Sequence, residues 1–382
     1  MEFRPVPFDS NLDGYRKQAA ELLAAWQAGD ASAVETVWRR HPRFLDVEVT
    51  WLPKRLSEAE VRASPFDLAD AQLTVARCYS FQDWARLGEY VAAVAQRRSP
   101  VWRFEAAVEA VIDGDVRGLG EALRRHPELV HARSTRVTCH DPPMHGATLL
   151  HYIAANGIEV YRERTPPNAV EVATMLLSTG AEADALAGMY GGACATLSML
   201  VSSSHPAKAD LQVALVDTLV DFGANVDGAG SGAWVSPLMT ALAFGYLDAA
   251  EALVRRGARA DRLAAAAGLG RINDAARLLP TADPDERHRA LALAAQLGHV
   301  TVVGLLLDAG EDPDRLNPEG NHSHSTPLHQ AALAGHEAVV RLLVERGARL
   351  DIRDTIYDGT PLGWAEYGGR TEVAAFLRAR PG

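Results

Sequence analysis

The side chains best suited to chemistry lie in two stretches. The first runs through YIAANGIEVYRERTPPNAVEVA and MYGGACATLSMLVSSSHP and supplies Tyr152, Arg162, Arg164, Tyr190 and His205. Phenols, guanidinium groups and an imidazole are the donor set of a pocket for an anion or a small polar ligand. The competing role for this stretch is a loop that satisfies backbone groups left over by an irregular piece of fold. The second stretch is NHSHS, where His322 and His324 alternate along an extended segment and fall on one side of it. Two imidazoles can begin a zinc site, but spacing assigns no further ligands, and no metal is expected. There is no GxSxG, no GxxxxGK[ST], no HExxH and no CxxC. Gly268-Leu269-Gly270 lies between two helical patterns and not after a strand, which makes it a poor dinucleotide loop. No catalytic residue and no cofactor are expected.

Composition narrows the partners. The chain has 382 residues and a net charge of −11, which argues against nonspecific nucleic-acid binding and against docking on anionic membranes. Cys78, Cys139 and Cys194 are an odd, widely spaced set and read as reduced thiols. MEFRPVPFDSNLDG shows no basic region followed by an apolar run, and no stretch is long enough to span a bilayer. A cytoplasmic location is the expectation.

The elements that must position these residues are helix pairs. In STPLHQAALAGHEAVVRLLVERGARLDIRD, residues 325–354, Thr326 is a good N-cap and Pro327 fits the first helical position. Leu328, Ala331 and Ala332 give a short helix with a small-residue face, closed by Gly335. Val339, Val340, Leu342, Leu343 and Val344 line a second helix, closed by Gly347, and a polar extended segment follows. Such a pair cannot bury its apolar face alone and must stack on copies of itself. Copies begin at Thr148, Ser236 and Thr360, and the second helices end at Gly180, Gly223, Gly257, Gly310 and Gly347. Gly223 and Gly257 stand 34 apart, and Gly310 and Gly347 37 apart. The 53 residues from Gly257 to Gly310 hold RLAAAAGLGRINDAARLLP, a helix pair without its extended segment.

The TPLH-type starts, the glycine-ended second helices and a period near 33 resemble ankyrin repeats. The resemblance covers about residue 100 to the C-terminus and is degenerate in the middle. It implies an all-α solenoid of about seven helix–turn–helix units with extended fingers, occupying 99–382, with irregular central repeats and an insertion near 158–168. Residues 1–98 differ. RKQAAELLAAWQAGDASAVETVWRRHPRFL gives two helices broken at Gly29-Asp30, and DLADAQLTVARCYSFQDWARLGEYVAAV gives two more around Tyr79-Ser80. This segment resembles the helical leader of a group of bacterial ankyrin-repeat proteins. A solenoid needs an end that does not expose its stacking face, and the leader is the natural cap. His41 and His126 each close a second helix, where the helix dipole favours a cation.

The ankyrin resemblance also implies function. Finger tips and first-helix faces line one concave side where protein partners bind, and here they supply His140, His145, Asn156, Trp234, Phe244, His322, His324 and Tyr357. His151 and His329, fourth in the TPLH-type motif, are implied to tie a finger to its neighbour by hydrogen bonds. The expected function is a non-catalytic scaffold for protein–protein interaction with an unidentified protein partner. The alternative is an enzyme or small-polar-ligand binder using the pocket at 158–205.

Overall fold

A computed structural model describes residues 4–49, 51–157, 159–189, 191–232 and 234–380. It is all-α in character and divides into two compact units, Met1–Leu211 and Gln212–Gly382.

The first unit opens with α1 (Leu12–Gln27), α2 (Ala31–Arg40), α3 (Glu58–Ala63), α4 (Leu68–Cys78) and α5 (Trp84–Ala95). Their starts are encoded locally. Asp30 accepts from Ala33 N–H, and Ser57/Glu60 and Asp67/Asp70 form reciprocal capping boxes. Tyr15, Val37, Phe44, Tyr79, Phe81 and Leu87 are almost wholly buried between these helices. His41, at the end of α2, meets Asp70 Oδ1 at 3.1 Å and is buried. Burial lowers its pKa, and Arg43 adds to that, so the ring is held neutral and is not the helix-end cation the sequence suggested.

α6 (Pro100–Asp113), α7 (Val116–Arg125), α8 (Ala169–Ser178), α9 (Thr196–Leu200) and α10 (Ser204–Lys208) complete the unit. The repeat that begins at Thr148 is irregular. Its first helix is a 3₁₀ turn, Leu149–Ala154, that stops at Ala155 in the left-handed region, and the insertion follows before α8. A hairpin of β1 (Leu186–Met189) and β2 (Gly192–Ala195) pairs antiparallel, with Leu186 opposite Ala195. The leader is stitched to this part. Cys139 N–H donates to Ser80 O at 2.9 Å, Phe81 bridges Thr138, and the Tyr161 ring of the insertion lies 5.2 Å from that of Tyr79.

The second unit contains α11 (Gln212–Asp221) and then five helix pairs: α12/α13 (Pro237–Ala243, Leu247–Arg255), α14/α15 (Leu263–Gly268, Ile272–Leu278), α16/α17 (Pro284–Gln296, Val300–Asp308), α18/α19 (Pro327–Ala334, Glu337–Glu345) and α20/α21 (Pro361–Tyr367, Thr371–Arg378). First helices pack on first helices and second on second, and the core is a continuous run of Ala, Val and Leu. The pair α14/α15 has no finger before the next repeat; a 3₁₀ turn, Leu279–Thr281, leads directly to α16. Glu286 of α16 fills the gap, accepting from Ala264 N–H at 3.0 Å and so satisfying an orphan donor at the start of α14.

One device recurs between pairs. His299 Nε2 reaches Gly268 O (2.9 Å), His336 Nε2 reaches Gln296 O (3.0 Å) and Arg370 Nε donates to Leu333 O (2.9 Å). Each side chain opens a second helix and ties it to the end of the preceding first helix. The packing is close: a Cβ at Gly270 or Gly298 would stand 2.6 or 2.7 Å from the imidazole of His299 or His336. Glycine is needed there both for that approach and for a positive φ.

Candidate binding surface

In the first unit the insertion folds inward. Glu159, 1 % exposed, is the hub. It accepts from Arg136, from Arg162 Nη1 at 2.7 Å and from Tyr152 Oη at 3.0 Å. Arg162 also pairs with Glu105 at 2.7 Å and Glu109 at 2.8 Å, both on α6. Tyr90 of α5 donates to Glu105 at 3.1 Å, and the Arg136 guanidinium lies 4.4 Å from the ring centroids of both Phe81 and Tyr90. Burial works against an ionised Glu159, but Arg136 and Arg162 more than offset it and hold the carboxyl at about 2. The network therefore joins α6 and the insertion through ion pairs, and the leader to both through Tyr90 and Phe81.

This changes the picture of the polar pocket. Arg162 has its charge committed to three carboxylates, and Tyr152 donates to Glu159. Arg164 bonds Asp113 at 2.8 Å, and His205 faces Glu163 at 3.6 Å. Tyr190 lies outside the described residues. The other four donors expected to bind a ligand are turned on their own chain.

The residues assigned to a binding face divide between the units. Of those in the first, only His140 is exposed. His145, expected at an exposed tip, is 5 % exposed and sits 3.9 Å from Glu159; burial lowers its pKa to about 4. Asn156 is half-buried and donates to Met199 O at 2.8 Å and Ser202 Oγ at 2.5 Å. His151 accepts from Thr148 N–H on Nδ1 (3.1 Å), and its Nε2 meets Cys194 O (3.3 Å).

In the second unit, Trp234 and Phe244 make ring contact, centroids 5.2 Å apart, and Phe244 is 41 % exposed. Trp234 also lines a cleft of about 500 Å³ together with Met239 of α12, Leu293 and Arg289 of α16, and Glu319 and Asn321 of the finger before α18. Arg262, in the same lining, pairs with Glu286 at 2.6 Å. Arg289 donates to Glu319 O at 2.9 Å and has no carboxylate within 4 Å among the described residues. Asn321 is 1 % exposed, and both polar atoms of its amide lack a hydrogen-bond partner among the described residues.

His322 and His324 are half-buried and not free tips. His322 Nε2 meets Ala243 O at 2.9 Å, and His324 packs on Tyr357 and Trp364 at 5.7 and 5.6 Å. Tyr357 is 52 % exposed. Among the described residues no group of three or more His, Cys, Asp or Glu is arranged to hold a metal ion. His329 accepts from Thr326 N–H on Nδ1 (3.3 Å), and its Nε2 meets Gly359 O (3.1 Å), the same pair of bonds as at His151.

Several residues escape sequence reasoning. Arg136, Glu105 and Glu159 carry no motif. Asn321 looks like any loop asparagine. The His299 and His336 ties did leave a signal, the Gly-His dipeptide repeated at 298–299 and 335–336.

The family model for Ankyrin repeats (3 copies) matches residues 262–354 and 291–381. The chain is 35 % identical over 128 residues to human Cyclin-dependent kinase inhibitor 2A, covering 32 % of this chain and 79 % of that protein. It is 34 % identical over 130 residues to human Cyclin-dependent kinase 4 inhibitor B, 33 % of this chain and 91 % of the relative. A third similarity, 35 % over 98 residues, is to mouse Ankyrin repeat and SAM domain-containing protein 6, of which the chain spans only 11 % while 26 % of this chain is matched. No helix among the described residues is long and apolar enough to cross a membrane.

Proposed function

We propose, from the premise that this chain belongs to the ankyrin-repeat proteins, that it is a non-catalytic scaffold that binds another protein through the finger face of Gln212–Gly382. In this reading residues 1–98 cap the repeats of 99–382 and take no part in recognition. The carrying observation is the Trp234–Phe244 pair, an aromatic contact left partly open to solvent beside a cleft of about 500 Å³. Aromatic side chains anchor interfaces because they bury much area at low entropic cost. His324, before α18, and Tyr357, before α20, extend the same reading along two neighbouring fingers. The two human relatives are named as inhibitors of cyclin-dependent kinases, which fits a protein-binding role; each matches only about a third of this chain, and no kinase is proposed as its partner.

The test begins with capture of partners from source-cell lysate on the full chain, identified by mass spectrometry. Titration calorimetry of the captured partner against Trp234→Ala and Phe244→Ala should then show affinity weakened by at least about 1 kcal/mol in each, with melting temperature unchanged. Unchanged affinity in both variants would move the recognition surface elsewhere.

A further inference from the structure

We infer that Arg40, Arg77 and His140 form an anion site that takes a phosphate group, free or as a monoester. The site lies in the Met1–Leu211 unit, where the leader meets the finger before the Thr148 repeat. It is independent of the protein-binding reading, which concerns the other unit, and its test needs no protein partner.

Three segments converge there. Arg40 ends α2, Arg77 lies in the last turn of α4, and the two helices pack on each other. His41, next to Arg40, meets Asp70 of α4 at 3.1 Å, and Arg77 stands seven residues on, two turns along the same face. The finger is laid on the end of α4. Cys139 N–H donates to Ser80 O at 2.9 Å, Gln82 N–H to Val137 O at 3.4 Å, and Phe81 bridges Thr138. This brings His140 to the two arginines. Each arginine acts electrostatically on the other's neighbour, Arg40 on Cys78 and Arg77 on His41, and both act on the His140 ring. Burial, then Arg40 and Arg77, hold that ring below its ordinary range against the opposing pull of Glu159.

What the cluster lacks is a counter-charge. Neither Arg40 nor Arg77 makes a side-chain hydrogen bond or an ion pair among the described residues, in a chain with 49 Asp and Glu against 38 Lys and Arg. The acids nearby are engaged elsewhere. Asp70 holds Arg43 at 2.7 Å and His41. Glu159 is spent on Arg136 and Arg162. Glu163 accepts from Gly157 N–H and faces His205 at 3.6 Å. Both arginines are half-buried, so water solvates them only in part. Arg77 Nε is shut off from solvent, but its terminal nitrogens are open and equally uncommitted, so a ligand can reach them.

The charge of the complement follows. Two guanidinium groups carry two positive charges, and a carboxylate would cancel only one. A phosphate monoester carries a charge of about −1.5 to −2 at neutral pH and three strong acceptor oxygens. The forked donors of arginine match such oxygens two at a time. The exposed ring of His140 adds one N–H at the outer edge of the site.

The experiment is equilibrium dialysis of the full chain against radiolabelled inorganic phosphate, in chloride buffer at fixed ionic strength, with glycerol 3-phosphate and acetate as competitors. Phosphate should bind saturably. Arg40→Met and Arg77→Met should each weaken it by about tenfold or more, and His140→Gln by less. Arg124→Met, at an exposed arginine of α7 that also lacks an ion pair among the described residues, should leave binding unchanged. Glycerol 3-phosphate displacing the label better than phosphate itself would support the monoester as the ligand, and poorer displacement would support free phosphate. In spectra of the chain with carbon-13-labelled histidine, assigned with His140→Gln, the His140 signal should shift with added phosphate. Its titration midpoint should rise, because the anion offsets the two cations. Should either methionine variant melt below the parent, that signal and His140→Gln carry the test. Absence of saturable binding below about 10 mM phosphate overturns the inference. An equal loss in Arg124→Met does so too, since net charge alone would then explain the effect. Acetate competing as well as glycerol 3-phosphate removes the phosphate class. Binding that is indifferent to both methionine variants, or that leaves the His140 signal unmoved, puts the site elsewhere and sinks the assignment.

Discussion

Arg162 and Asn321 are both almost wholly buried, at 3 % and 1 % exposed, yet they sit in opposite circumstances. Arg162 lies in the Met1–Leu211 unit against Glu105, Glu109 and Glu159, with Arg136 sharing the last. Asn321 lies in the Gln212–Gly382 unit with no hydrogen-bond partner for either amide atom among the described residues. By residue type the first region looks the better ligand site, since it gathers arginines, tyrosines and histidines. By satisfaction it is the worse one, because its donors are consumed by its own carboxylates. The difference teaches that a polar cluster signals binding only when its bonds are left open, and that a closed cluster of the same composition is a rivet between segments.

The comparison is broken most directly at Arg162. Arg162→Met leaves Glu105 and Glu159 with one buried positive charge between them, and removing one partner of a buried pair costs about 3–5 kcal/mol. Urea melts should show that loss, with α6 loosened from the insertion. A melt indistinguishable from the parent would mean that the network holds nothing together.

In the repeats, His329 ties Thr326 N–H to Gly359 O across neighbouring fingers, and it is fully buried. His329→Ala strands both groups and should cost about 1–3 kcal/mol by the same melts. His322→Ala removes a bond to Ala243 O from a half-buried ring and should cost less. If the two variants melted alike, the distinction between a tie and a packed finger side chain would fail.

Acid should act on the first unit before it reaches the carboxylate range. Burial holds His145 and His151 at about 4, below the ordinary value near 6.5. His151 is further bound to stay neutral, because its Nδ1 accepts from Thr148 N–H. Between pH 6.5 and 4 the unfolded chain binds protons that the folded chain refuses, so stability rises with pH across that window and falls as acid is added. Glu159, held at about 2, extends the loss below pH 4.5. Melting temperature measured at steps from pH 7.5 to 4 should drop, and His145→Asn, which keeps an acceptor near Ala147 N–H and cannot ionise, should flatten the slope. A flat parent profile would contradict the burial of both rings.

How much of this was legible depends on whether the information is periodic. The helix pairs of 236–378 repeat their caps, their small-residue faces and their closing glycines, and Gly257, Gly310 and Gly347 adopt φ between 90° and 99°. Repetition made them readable. The insertion has no such redundancy. Its sequence names Arg162 as polar, but only the fold brings Glu105 of α6 and Arg136 of a loop to it from 57 and 26 residues away in the chain. The same limit applies to His145 and Asn156, assigned to a surface by the regular repeat plan and drawn inward because the Thr148 repeat begins with a 3₁₀ turn. At Asn321 the informative property is an absent partner, which no residue pattern encodes.

The smallest effect gives the sharpest contrast, because it concerns an arginine only two residues further on. Arg164 bonds Asp113 at 2.8 Å, about the length of the Arg162 pairs, but the side chains are 51 % and 57 % exposed. Water screens the attraction and both side chains lose entropy to form it, so an exposed pair of this kind contributes about 0–1 kcal/mol. Arg164→Ala should therefore melt close to the parent, and the remaining difference should shrink at about 1 M salt, where the screening length falls to roughly 3 Å. Arg162 and Arg164 share the insertion and both answer to α6. If Arg164→Ala proved as damaging as Arg162→Met, distance and composition would govern the insertion and burial would not. A near-silent Arg164→Ala beside a crippling Arg162→Met would place the holding force where the carboxylates are shielded from water.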